Sequence, residues 1–400
     1  LNGKRLVVRG GNVVLPDGVV KADVVAENGI IQSVDYAGSK SSAVETIDES
    51  KDRIIEAEGA WVLPGLVDIH CDTIEKEVEP RPGTLFPMEM AFLQYERKLA
   101  GHGITTMMHS LSFGVGLSLR GEHLVSQLID LIRSCSRERA MIRHGVHLRY
   151  EVSQPTGIPL ARRLIEEGAI DYLSLMDHAP GIGQYARPGA FQRYVMKNQG
   201  VSLDEVEKIV EELQERRAKV DWNALRELTA FARSRGIAVA SHDDDSEEAV
   251  NRSLAFGADI SEFPLNGATA AYAKKQGMGV CVGAPNIVRG GSHDGNLKAA
   301  EAIVAGDANL LCSDYHPASL LHAVFALAKE GVALERAVRM ATLEPAIAMG
   351  RGAEIGSLEP GKRADLIVVD TVRECPLVRC TVVDGVTVYE TRDFSGAKSF

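Results

Sequence analysis

Between residues 65 and 314 the sequence repeats one rhythm, a short apolar strand-like run followed by a longer helical stretch. Eight runs fit it: 66–72, 104–110, 145–152, 170–178, 237–243, 259–264, 279–285 and 309–314. Strands separated by helices cannot close as hairpins, so they lie parallel and bury both faces. Eight such units predict an α/β fold of the (β/α)8 barrel type. Its chemistry is expected at the C-terminal ends of the strands.

The flanks read differently. Residues 1–60 hold alternating Val-rich runs punctuated by Asp17-Gly18 and Asn28-Gly29, dipeptides that favour tight hairpin turns. After about residue 351 short strands return, with Asp384-Gly385 marking another hairpin. We therefore expect 1–60 and 351–400 to form one small β-sandwich domain, with the barrel of 61–350 inserted between them. The longest connection joins the fourth and fifth strands. It carries a capping box, Ser202 with Glu205, and then apolar Leu203, Val206, Val210 and Leu213 on one helical face. A long connection above the active face could serve as a lid.

Ligand-type residues collect at the strand ends. His70 and Asp72 lie two apart at the first, so extended backbone would point both side chains the same way. Glu151 closes the third strand, His178 the fourth, His242 the fifth and Asp314 the eighth. One histidine at a strand end is more often a hydrogen-bonded polar residue than a ligand. Imidazoles and carboxylates at five ends of one barrel suit a pair of divalent metal ions, with Glu151 between them. His109, His144, His102 and His123 read as structural, and His147 as deeper in the barrel. His316 could reach a substrate, and Cys71, between two candidate ligands, should point outward into packing.

Cations form a second group. Arg149 should face the barrel mouth, while Lys76, Arg81, Arg187 and Arg289 fall in expected loops at the same end. Guanidinium groups match phosphate oxygens in bidentate fashion. The Gly-rich run 283–296 offers backbone amides, with Ser292, His293 and Asn296 as side-chain donors, and it lacks the Lys-Ser/Thr of a nucleotide-binding P-loop. A net charge of −11 argues against wholesale nucleic-acid or anionic-membrane binding, and cations gathered at this face of an acidic protein suggest a small anionic, phosphorylated substrate. No apolar run approaches a membrane span and no signal peptide is evident before the first strand. The six cysteines lack metal-binding or disulfide spacing, so a reducing cytoplasm is expected. Oligomeric state stays open, a homo-oligomer included.

The H-x-D at the first barrel strand and the Asp closing the eighth resemble the amidohydrolase superfamily. The runs HCDTIEKEVEPRP (70–82), HGITT (102–106), HLRYE (147–151), SLMDHAPG (174–181), ASHDD (240–244), EFP (262–264), GAPNIVRGGSHDGN (283–296), CSDYHPASLL (312–321) and GKRADL (361–366) narrow the likeness. Within the superfamily they resemble the alpha-D-ribose 1-methylphosphonate 5-triphosphate diphosphatase family of phosphonate metabolism. The resemblance implies hydrolysis of a triphosphate, releasing pyrophosphate and leaving the ribose 5-phosphate. Its first motif departs from the family at Cys71 and at Val78-Glu79. Joined to the residue reading, it implies two divalent ions, zinc or manganese, on His70, Asp72, Glu151, His178, His242 and Asp314. An activated water would attack the α-phosphorus, with Asp314 as general base. Lys76, Arg81, Arg149, Arg187, Asn286, Arg289, Ser292 and His293 would bind substrate. The rival readings are a C–N hydrolase using the same metals and a non-catalytic scaffold.

Overall fold

A computed structural model describes residues 5–36, 48, 52–81, 83–114, 122–185, 189–199, 202–291 and 296–391. Arg187, Ser292 and His293 fall outside them. The chain opens with β1 (Arg5–Leu15), β2 (Gly18–Glu27), β3 (Ile30–Tyr36), β4 (Arg53–Glu56) and β5 (Trp61–Pro64). The barrel strands follow as β6 (Leu66–Cys71), β7 (Ile104–Phe113), β8 (Arg143–Glu151) and β9 (Tyr172–Met176). They continue as β10 (Ala238–His242), β11 (Ile260–Glu262), β12 (Gly279–Gly283) and β13 (Leu310–Cys312). Three strands close the chain, β14 (Leu366–Val372), β15 (Cys375–Val383) and β16 (Val386–Glu390).

From β6 to β13 each strand pairs in parallel with the next. Two backbone bonds join the ends into a barrel: Asp72 N–H donates to Asp314 O at 2.9 Å, and Asp314 N–H to His70 O at 2.9 Å. The strands are buried on both faces, as β7 shows along its whole length. Inside lie Val67, Ile69, Met108, Tyr172, Ile260 and Leu310. Outside, a larger apolar layer packs against the helices. Side-chain caps start several of these helices: Asp221 accepts from Asn223 N and Ala224 N, Ser246 from Ala249 N and Asn266 from Thr269 N. Gly65 stands at the barrel's entrance because a Cβ there would meet the Thr105 side chain at 2.3 Å.

The terminal strands form one hydrogen-bonded network, in the order β16-β15-β14-β5-β1-β2-β3 with β4 also on β1. One small β-sandwich domain from the two termini was expected; its strands are joined through β1, which is long enough to pair with β4 by its first half and β5 by its second, across a bulge at Gly10 with φ +72°. Asn28-Gly29 and Asp384-Gly385 are both left-handed at both positions, the conformation of tight hairpins. The Ser202–Glu205 capping box is present and opens helix Leu203–Ala218. That helix and Ala190–Gln199 share a small core of their own, Tyr185, Phe191, Val195, Val206 and Leu213.

Candidate metal centre and anion site

His70 lies on β6, almost wholly buried, and its ring Nδ1 is 2.9 Å from Glu262 Oε1. Its ring centroid is 5.0 Å from that of His147 and 5.5 Å from that of His242. Asp72 lies one residue beyond the end of β6, at φ −96° and ψ 7°, preceding helix Thr73–Val78. Strand alternation therefore does not govern it. Its carboxylate still faces the mouth, 3.8 Å from Arg149 Nη1. Glu151 ends β8 and touches His178: Oε2 is 3.3 Å from His178 Nδ1, and Oε1 accepts the His178 backbone N–H at 3.2 Å. The His178 and His242 rings meet edge to face at 5.5 Å. Asp314, joined to His70 and Asp72 through the backbone, completes the ring. The six expected residues converge on one mouth.

Two residues that strand reading missed join them. Asp243 Oδ2 lies 3.1 Å from His242 Nδ1 and 3.6 Å from His178 Nε2. Its φ of +58° turns back inward a side chain that alternation would send outside. The adjacent His-Asp pair was the available signal. Glu262, fully buried at the end of β11, contacts His70 and accepts from Tyr172 Oη at 2.9 Å. Its place in the EFP run was visible, its role was not. Candidate donor atoms thus fall into two groups, His178/His242/Asp243 near the mouth and His70/His147/Glu262 below.

These groups suit divalent cations on their own chemistry. Of the expected ligands, buried Asp72 Oδ1, His178 Nε2 and His242 Nδ1 make no hydrogen bond among the described residues. Buried polar atoms are seldom left so. The protonation tendencies differ from group to group. Burial, then the neighbouring Arg149 and His242 side chains, hold His70 well below its usual value and keep it neutral. For His178 burial opposes charging, but the nearby Asp243 and Glu151 carboxylates outweigh it and lift the ring to about 9. Asp243 responds in the opposite sense: burial would raise it, yet the neighbouring imidazoles hold it well below the usual carboxylate range. Asp314 is pushed up to about 7, by burial first and then by the Asp72 carboxylate.

Arg149 enters this ring from β8 as a buried guanidinium, its Nη2 3.1 Å from His242 Nε2. Lys76 stands at the rim over the Tyr315 ring, 5.5 Å from its centroid, in a helical turn where a loop was expected. Arg81 and Arg289 are exposed, Arg289 at the C-terminal cap of helix Ala284–Val288. Asn286 spends its side chain on the loop itself, donating to Leu297 O at 2.9 Å and accepting from Ala299 N at 3.1 Å. Away from the mouth, His109 pairs with His144, and His147 bonds Ser110 and Ser174 inside the barrel. Cys71 points outward to Thr73 and Tyr95, as expected, and burial pushes its thiol up to about 12.

The family model of the amidohydrolase family matches residues 61–397. The chain belongs to the amidohydrolase family. Among relatives of this amidohydrolase, the alpha-D-ribose 1-methylphosphonate 5-triphosphate diphosphatase of Escherichia coli (strain K12) is 34% identical over 91% of this chain and 94% of its own. An imidazolonepropionase of Porphyromonas gingivalis (strain ATCC BAA-308 / W83) is 25% identical over 87% of this chain and 83% of its own. The solved structure of a Xaa-Pro dipeptidase with methionine bound in its active site shares the fold, at TM-score 0.65 and 16% identity, covering 97% of this chain and all of that one. Among the described residues no helix of this amidohydrolase is long and apolar enough to cross a membrane.

Proposed function

We propose that this amidohydrolase releases pyrophosphate from alpha-D-ribose 1-methylphosphonate 5-triphosphate, or a close phosphonate ribose triphosphate, leaving the 5-phosphate. The observation that carries the reading is Arg149, a buried cation inside a ring of metal-type donors. A neutral amide has no need of such a cation; a triphosphate does. Similarity to the Escherichia coli diphosphatase over nearly the full length of both chains supports the particular substrate.

His70, Asp72, Glu151, His178, His242 and Asp314 would hold two divalent ions, zinc or manganese, with Asp243 at hand as a further donor. When bound, such ions supply Lewis acidity and lower the pKa of water. The chain's own groups do the rest. Asp314, at the mouth beside Asp72 and His70, accepts the proton of the attacking water. Arg149 neutralises charge on the transferred phosphoryl group from inside the mouth, and Lys76 adds a second cation at its rim. Arg81, Arg187, Arg289, Ser292 and His293 remain candidates for the outer phosphates. Asn286 contributes by holding its loop in place.

The imidazolonepropionase similarity favours a second reading, hydrolysis of a C–N bond by the same groups. Metal-loaded protein assayed for pyrophosphate release and for amide cleavage separates the two, and amide turnover without pyrophosphate would overturn the first. Asp314→Asn should lower turnover by about a hundredfold or more while circular dichroism stays native. A near-normal rate would remove Asp314 as the base.

A further inference from the structure

The Glu262-Phe263-Pro264 run contributes nothing to the proposed ligand set, yet it is built around one candidate ligand. Glu262 is fully buried on the inner wall, where a carboxylate is unfavourable unless it accepts hydrogen bonds. Two groups point at one of its oxygens, His70 Nδ1 at 2.9 Å and Tyr172 Oη at 2.9 Å. A ring nitrogen facing a carboxylate carries the proton, so Nδ1 of His70 is protonated and Nε2 keeps its lone pair. Phe263, held at φ +54°, sets its ring against His70 at 4.9 Å and against His242 at 5.2 Å. On another side the His147 ring abuts His70 at 5.0 Å, with its own nitrogens engaged by Ser110 and Ser174. The His70 imidazole is thus braced by rings and pinned by a single carboxylate.

We propose that Glu262 is a positioning residue that fixes the tautomer and orientation of His70, and so sets how tightly the centre holds a divalent ion. The inference rests on the metal-dependent reading above. Glu262 acts through His70 and is not itself a ligand. Tyr172 supplies a control, because its hydroxyl bonds the same Glu262 oxygen without touching His70 through that bond. A merely structural carboxylate would be disturbed as much by losing Tyr172 as by losing its bond to His70.

The test combines cobalt(II) affinity, measured by chelator competition, with 15N NMR of histidine-labelled protein. In the wild type, His70 should be protonated at Nδ1 and bare at Nε2. E262L should weaken cobalt binding by about 10–100-fold, E262Q, which keeps an acceptor oxygen, should recover most of that loss, and Y172F should stay within about threefold of the wild type. Three results would overturn the proposal: a His70 protonated at Nε2, an E262L with unchanged affinity, or an E262Q as weak as E262L. The last would make Glu262 a ligand. Equal losses in E262L and Y172F, tracking equal falls in melting temperature, would reduce it to a structural pin. Wild-type protein with no cobalt affinity would instead sink the metal-dependent reading, while the NMR measurement still decides whether Glu262 governs the His70 proton.

Discussion

Left-handed residues mark where reading by alternation stops working. Asp243, Phe263 and Asp314, at the ends of β10, β11 and β13, all have positive φ. At each the side chain leaves the two-residue period of the strand. Asp314 was legible because its strand was short and it closed the run. Asp243 was not, since the residue after His242 should have pointed outward. Glu262 was hidden by a different cause: a lone acid at the end of a three-residue strand gives no period to read. Asn286 shows a different limit, a polar side chain in a Gly-rich run whose partners are backbone atoms of Leu297 and Ala299 just beyond that run. A residue with a clear pH signature lies away from the mouth. Asp171 stands just before β9, exposed as a residue but with one carboxylate oxygen turned in, its Oδ2 accepting the Val146 N–H at 2.8 Å. Burial raises its pKa above 3.8 despite that bond and the nearby Arg133 and Arg351 charges. A carboxyl with a raised folded pKa stabilises fully below its unfolded value, and that contribution is lost as pH rises through the folded one. D171N keeps an acceptor for Val146 without the charge. Its melting temperature relative to wild type should therefore climb as pH rises from about 4 to 7, and a flat difference across that range would refute the assignment.

The eight strand runs were visible because each is apolar, bounded and followed by a helix. Their lengths were harder to read. The run 259–264 contributes only Ile260–Glu262 to the sheet, because Phe263 turns left-handed and Pro264 has no N–H to pair. The Ser202–Glu205 box was readable since capping depends on four consecutive residues alone. What that helix packs against was not. Arg217, near its C-terminal end, grips Asp177 through Nε at 3.0 Å and Nη2 at 2.9 Å, one residue before His178. Tyr185, from the small core beneath, meets the His178 ring at 6.0 Å. The helical pair has its own core and is clasped to the barrel through Arg217, so it should open independently of the barrel. R217A is expected to reduce hydrogen-exchange protection in Leu203–Ala218 and leave β7 and β8 unchanged. Equal losses in all three would show one cooperative unit.

Across the whole molecule the barrel and the terminal sheet meet through charge as well as apolar contact. Arg143, at the start of β8, pairs with Asp365 just before β14 and with Asp384 in the β15–β16 turn. Asp365 also accepts the Asp384 N–H at 2.9 Å. R143A would leave the buried Asp365 without its cation, so stability should fall by about 3 kcal/mol in urea titrations. R143A/D365N should recover most of it, and a loss below about 0.5 kcal/mol for R143A alone would make the pair peripheral. The joining of the two termini was legible as a return to short strands, while the unbroken sheet was not, because one long strand pairing with two partners has no local signature. Leu366 lies opposite Pro64, and Ile367 opposite Leu63, across the whole of the barrel sequence. On the ribosome, β5 must therefore emerge and wait while every barrel strand is made before its neighbour β14 exists. The barrel can assemble first, but the early strands keep an open edge until β14 has emerged, which makes that interval the one in which a chaperone or a wrong partner can act.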